Sequence, residues 1–125
     1  MIIEKAKDLE VYQLAYRQAM EVFAITTEFP EEEKYALTSQ SRRASRSVCL
    51  NLREAWAKRR YEAHFLSKLT DCDGENGETE TALDFAMNCD YITEKKHEAL
   101  IELNRSVGKK LGTMLKNPKP FLQTT

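Results

Sequence analysis

The chain has 125 residues, 42% of them hydrophobic and 31% charged, with four Gly, three Pro and a formal net charge of −1. That length suits a single domain with a core of its own, and few breakers among many Ala, Leu, Glu, Lys and Arg favour helices over sheet. No run reaches the roughly 18 apolar residues of a membrane span, and MIIEKAKDLEVY carries acids where a signal peptide has its apolar core; a cytoplasmic protein is expected. Cys49, Cys72 and Cys89 form no CxxC pair and read as free, mostly buried thiols in a reducing compartment.

The first helix is predicted over about 8 to 29, with Asp8 as its N-cap and Pro30 as its stop. Leu9, Tyr12, Tyr16, Ala19 and Phe23 recur at spacings of three and four, a bundle-type stripe. A second row, Val11, Ala15, Val22 and Ile25, lies beside it. One bundle buries a single stripe of about 100° or slightly more per helix. The row left over predicts a contact surface.

FPEEEKYAL reads as a connection. Thr38 or Ser39 can then cap a second helix, predicted over 38 to 58. Ala44, Val48, Leu52, Ala55 and Trp56 share its core face. Segment 39–60 holds seven basic side chains and one acid, Glu54; it sums to +6 and leaves −7 for the rest of the chain. Arg42, Arg46 and Arg53 fall within about 40° of one another, over roughly 16 Å of helix, and Arg60 joins them if the helix lasts that far. With Arg59 they make the candidate nucleic-acid-binding set, because the planar guanidinium forks onto phosphate and a stripe can track a backbone.

The third helix, predicted over 62 to 89, crosses DCDGENGETE, which reads locally as a loop. Phe65, Leu69, Cys72, Asn76, Thr79, Leu83 and Ala86 keep helical phase straight through it, so the helix is expected to continue. Gly74 and Gly77 each cost such a helix about 1 kcal/mol relative to Ala, which suggests that another backbone comes close there. A calcium loop opening at Asp71 would need Gly at 76 and Glu at 82; Asn76 and Ala82 exclude it. The acids of this helix, Asp71, Asp73, Glu75, Glu78, Glu80 and Asp84, offer the arginines an alternative fate as ion-pair partners. A buried polar cluster of Arg43, Asn51, Glu54 and Glu78 is expected between helices two and three.

The fourth helix, predicted over 94 to 116, follows Thr93 as N-cap and carries Leu100, Leu103, Val107, Leu111 and Met114. Pro118 and Pro120 end it, leaving 118–125 as an extended tail in which Phe121 and Leu122 have no helix to pack within. A single all-α domain over 1–117, an antiparallel up-and-down four-helix bundle, is the expected fold.

Catalytic chemistry has little to stand on. His64 and His97 lack metal-ligand spacing, although EKKH at 94–97 has one Glu-x-x-His step, and both read as surface histidines. Cys49, beside Arg46 and Arg53 on the wheel, is the one thiol worth testing as a nucleophile; a buried, inert thiol is the plainer reading. No phosphate loop and no Ser-His-Asp order is present, so no enzyme, no cofactor and no metal are expected.

LTSQSRRASRSVCLNLREAW resembles the signature of the bacterial four-helix-bundle proteins encoded in intervening sequences of large-subunit ribosomal RNA genes. KDLEVYQLA, FPEEEKYALTSQ, GETET and CDYIT match in order. The resemblance implies a cytoplasmic bundle assembling into a ring, typically a homopentamer. A related branch, the accessory proteins of diversity-generating retroelements, binds nucleic acid and a reverse transcriptase through a basic ring, so both are implied partners. Matching positions are Arg42, Arg43, Asn51, Glu54, Glu78, Glu80 and Thr81. Ser41, Cys49, Arg53 and Ala55 depart from the family pattern, which makes Arg46 and Arg53 extra charges. A nucleic-acid-binding oligomer and a structural or protein-docking oligomer both stay open.

Overall fold

The computed structural model describes residues 3–123, which form four α-helices and no strand: α1 Glu10–Thr26, α2 Leu37–Ala57, α3 Glu62–Asn88 and α4 Glu94–Lys116. Short 3-10 turns precede α1, lead into α2 and follow α4. The end of α1 lies against the start of α2, where Arg42 Nε donates to Thr26 Oγ1 at 2.8 Å. The end of α2 lies against the N-terminal segment, where the Trp56 indole N–H donates to the Glu4 carbonyl at 3.3 Å.

Local chemistry moves several boundaries from where the sequence places them. Asp8 does not cap α1; it sits in the 3-10 turn Ala6–Asp8 and accepts from the Lys5 and Glu4 amides. The helix ends at Thr26 rather than Phe29. The Thr26 and Thr27 hydroxyls turn back onto the carbonyls of Val22 and Ala24, and Phe29 swings inward against Tyr91. Neither Thr38 nor Ser39 caps α2, because the Glu33 carboxylate reaches forward to the Leu37 amide at 3.2 Å. Glu33 also accepts from the Tyr91 hydroxyl at 2.8 Å, fastening the α3–α4 turn to the α1–α2 connection. Thr93 does cap α4, accepting from the Lys96 amide at 3.0 Å. Asp90, with φ 62°, takes the left-handed step that lets the chain turn between α3 and α4.

α3 runs unbroken through Gly74 and Gly77. No atom outside the local helix lies within 4 Å of a Cβ built at either glycine, so the expected close backbone is absent among the described residues. Through Gln123 the tail is also not extended, and 124–125 lie outside the described residues. Residues Lys119–Phe121 form a 3-10 turn, Phe121 and Leu122 pack on the core, and the Gln123 amide donates to the Arg59 carbonyl. Their own chain covers these apolar side chains, so they give no support to a contact with another copy.

The core divides in two. Val11, Ala15, Val48, Leu52, Trp56, Phe65, Leu69, Val107, Leu111 and Met114 fill one end. Val22, Leu83, Leu100 and Ile101 fill the other, beside Phe29, Leu37, Ala82 and Ala86. Between the ends lies a layer of amides. Gln18 Nε2 donates to Asn76 Oδ1 at 3.0 Å, Asn104 Nδ2 to Gln18 Oε1 at 2.8 Å, and Asn76 Nδ2 to the Asn104 carbonyl at 3.0 Å. All three side chains are buried, and every buried side-chain N or O among the described residues has a partner.

Candidate nucleic-acid interface

The core face of α2 holds Ala44, Val48, Leu52, Ala55 and Trp56, all buried as their spacing requires. That face leaves two polar flanks, one toward α3 and one toward α1, and the charges on them differ in kind.

On the α3 flank the cations are paired. Arg43 reaches Glu75 at 3.3 Å and Glu78 at 3.5 Å, and Lys68 meets Glu54 at 2.7 Å and Asp71 at 3.7 Å. The hydrogen bond from Lys68 holds the Glu54 carboxyl below its ordinary range, and the same bond raises the Lys68 ammonium. Burial and the neighbouring Glu78 push Glu75 upward, against the pull of Arg43. The expected buried cluster of Arg43, Asn51, Glu54 and Glu78 does not form. Arg43 and Glu78 meet with side chains 57% exposed, Glu54 goes to Lys68, and Asn51 donates to the Ser47 carbonyl of its own helix. Long side chains at the edge of the apolar arc reach partners in water, which avoids the desolvation cost of burial.

On the α1 flank the arginines have no acid. Arg42, Arg46 and Arg53 make no ion pair among the described residues. Arg42 and Arg46 instead stand over the Phe23 ring, at 4.6 Å and 5.9 Å from its centroid. Arg53 acts on Tyr12, whose hydroxyl is raised first by burial while the arginine charge opposes the rise. Tyr12 in turn stacks on Tyr16 at 6.3 Å. α1 therefore contributes an aromatic row beside the arginine row. Tyr16 is 55% exposed and Met20 52%, with Phe23 also in water.

A basic, aromatic depression lies near each end of the arginine row. One, of about 510 Å³, is on the outer side of α2 and is lined by Lys34, Tyr35, Arg42, Arg43, Arg46 and Leu50, and its Tyr35 is 88% exposed. The other, of about 580 Å³, is lined by Lys5, Lys7, Tyr12, Arg53 and Trp56, with Glu4 as its one acid. On the opposite flank a groove of about 550 Å³ runs between α2 and α3, with Arg43, Glu78, Thr81, exposed Phe85 and the bare backbone of Gly77 along it.

Arg59 and Arg60 stand apart from the stripe. α2 ends at Ala57, so Arg60 lies in the following turn and off the helical wheel. Arg59 donates to the Trp56 carbonyl at 2.8 Å and covers the indole at 3.9 Å.

The rest of the molecule offers little reactive chemistry. Cys49 is buried, and burial pushes its thiol up to about 11; Cys72, also buried, is pushed to about 12. Burial and the raised thiol support the inert reading of Cys49 at neutral pH. His64 is exposed beside Tyr61, but His97 is not a free surface residue: its Nε2 lies 2.7 Å from Asp84 Oδ1 in a mostly covered position. Among the described residues no three His, Cys, Asp or Glu side chains are placed to hold a metal. No described helix is long and apolar enough to cross a membrane.

Sequence reasoning placed the arginine stripe and missed the aromatic row beside it. The stripe Leu9/Tyr12/Tyr16/Ala19/Phe23 has core spacing, and Leu9 and Ala19 are buried, yet Tyr16 and Phe23 face water while Val11, Ala15, Gln18 and Val22 fill the core. Gln18, polar in the middle of the buried row, disguised it. The available signal was composition, since small aliphatics suit a close helix contact and tyrosines tolerate water.

Residues 7–113 match the family described as 23S rRNA-intervening sequence protein. A crystal structure of a protein of unknown function from the S23 ribosomal protein family of Bacteroides thetaiotaomicron VPI-5482 superposes with a TM-score of 0.77 at 25% identity, covering 86% of this chain and 96% of that one. No curated protein matches the chain.

Proposed function

The chain belongs to the 23S rRNA-intervening sequence protein family, and from that premise we propose that it is a non-enzymatic protein contacting RNA or another nucleic acid through Arg42, Arg46 and Arg53. The supporting observation is the sorting of charge on α2. Arg43 takes two acids of α3, while Arg42, Arg46 and Arg53 on the other flank pair with no carboxylate among the described residues, the first two standing over Phe23. Guanidinium groups left unneutralised over about 16 Å can fork onto successive phosphates. Arg60, in the turn after α2, lies off the stripe. Arg59, held on Trp56, contributes less.

The reading includes assembly. We propose an antiparallel up-and-down bundle in the cytoplasm that closes into a homo-oligomer, five being the number the family resemblance implies. The α2–α3 groove supports a contact there, since Phe85 stands exposed above it and Gly77 leaves its floor without a side chain. Repeating the arginine face around an axis gives a near-neutral chain enough valency to hold a polyanion.

A protein-docking role for the same face is the second reading, favoured by Met20 and Leu50, exposed apolar groups beside the arginines. Fluorescence anisotropy of a labelled RNA separates the two. The triple variant Arg42→Gln/Arg46→Gln/Arg53→Gln is expected to lose about tenfold or more in affinity, since each charged contact contributes to phosphate binding, while Arg43→Gln stays within about twofold. Equal losses in both variants, or none in either, would contradict the proposal.

A further inference from the structure

We infer that the seam between α1 and α2 takes a single-stranded nucleic acid, with Tyr16, Phe23 and Tyr35 as stacking rings for its bases. This rests on the phosphate-contact reading of Arg42, Arg46 and Arg53 and adds the strandedness of the ligand.

Two parallel rows carry the inference. Tyr12 neighbours Arg53 at one end of the seam, and Phe23 lies under Arg42 and near Arg46 at the other. Tyr12 to Phe23 and Arg42 to Arg53 each span eleven residues, about 16 Å at the helical rise, so cations and rings run side by side. The depressions at the two ends repeat the pairing, Tyr35 with Lys34 and Arg42, Tyr12 with Lys5 and Arg53.

Phosphate binding alone would need no rings. A duplex presents its bases already stacked on one another, so it would meet the arginines and leave Tyr16, Phe23 and Tyr35 in water. A single strand presents free base faces, and these stack on aromatic side chains and guanidinium planes without regard to sequence. The rings are exposed, and their one-sided neighbours are cations or another ring: Arg42 over Phe23, Lys34 over Tyr35 and Tyr12 beside Tyr16. A base can extend such a stack. The charge on the seam favours a polyanion over a protein: Arg42, Arg46 and Arg53 make no ion pair among the described residues, and Lys5 and Lys7 line the same depression as Arg53 against the single acid Glu4. In the other depression Lys34 and Arg43 pair with Glu31, Glu75 and Glu78.

The experiment measures binding of a 15-nucleotide oligouridine, an RNA duplex of equal length and immobilised heparin, each to the full chain at several salt concentrations. Tyr16→Leu/Phe23→Leu keeps apolar volume, and Tyr35→Ser alters a side chain too exposed to disturb folding. Oligouridine is expected to bind at least tenfold more tightly than the duplex. Each ring lost should cost about fivefold or more on oligouridine, the value of one base stack, with heparin retention and salt slope unchanged. Duplex binding as tight as the single strand, or ring variants that keep full oligouridine affinity, would overturn the inference while leaving the arginine contact standing. Failure of the wild-type chain to bind any of the three would remove the arginine contact itself. Ring variants that instead lower the mass seen by light scattering would identify the seam as a surface between protein chains and equally overturn it.

Discussion

Gln18, Asn76 and Asn104 are each satisfied mainly by the other two, in a position where water cannot substitute. Truncating one leaves its partners with buried, unmade hydrogen bonds, each worth about 1–3 kcal/mol. Asn76→Ala is therefore expected to destabilise by roughly 2–4 kcal/mol in urea titration, well beyond what its lost volume explains. A loss below about 1 kcal/mol would show that the layer is not a structural requirement. The thiols give a second check. With Cys49 at about 11 and Cys72 at about 12 against an ordinary 9.0, a thiol reagent at pH 8 should modify Cys89 quickly and the other two only after unfolding. Because both folded-state values are raised, the stability gained from keeping these thiols neutral is full below pH 9. It is lost as pH rises through 11 to 12. Glu54 has the opposite sign. Its carboxyl is lowered by Lys68, so its contribution is present above the ordinary carboxylate range and lost as pH falls through the lowered value. Melting curves of Glu54→Gln and the wild type should therefore differ most near neutrality and converge in acid. A gap that widens in acid would contradict the pairing.

At the scale of the helices, α3 is the informative element. Hydrophobic phase carried it through a stretch whose composition says loop, and the phase prevailed because Cys72, Asn76 and Thr79 all had to face inward to complete the core. What periodicity could not convey was the side of α1 that would be buried, since two adjacent rows both have helical spacing. Nor could it convey that Arg43 faces α3 while Arg42, its neighbour in sequence, faces α1; about 100° of helical rotation separates their fates. Helix ends were misplaced where a distant or backward side chain did the capping, as Glu33 does for Leu37 and Thr26 for Val22. Of the candidate site, the stripe Arg42/Arg46/Arg53 was legible from angle alone. The expected cluster around Asn51 and Glu54 failed because the wheel gives direction and not depth. An open glycine yields a direct test. Gly74→Ala meets no atom within 4 Å, so it should stabilise the chain by about 0.5–1 kcal/mol through helix propensity. Destabilisation in chemical unfolding would contradict the open helix face.

Across the whole molecule, near-neutrality conceals separation. On one flank of α2 Arg43 is matched by acids of α3, and on the other Arg42 and Arg46 stand over Phe23 with no carboxylate. On the proposed reading the α2–α3 groove receives a neighbouring copy and the α1–α2 seam a phosphate chain. Light scattering should then give a mass several times the 14.5 kDa of one chain; a monomer at micromolar concentration would remove the assembly and its valency. The central claim, that the seam binds phosphate by unneutralised arginine, is tested most directly by titrating a labelled single-stranded RNA from low to moderate salt. Three contacts per chain predict a log–log slope of about −2, and a steeper one if several chains engage the same strand. A slope near zero, or no binding at low salt, would contradict it.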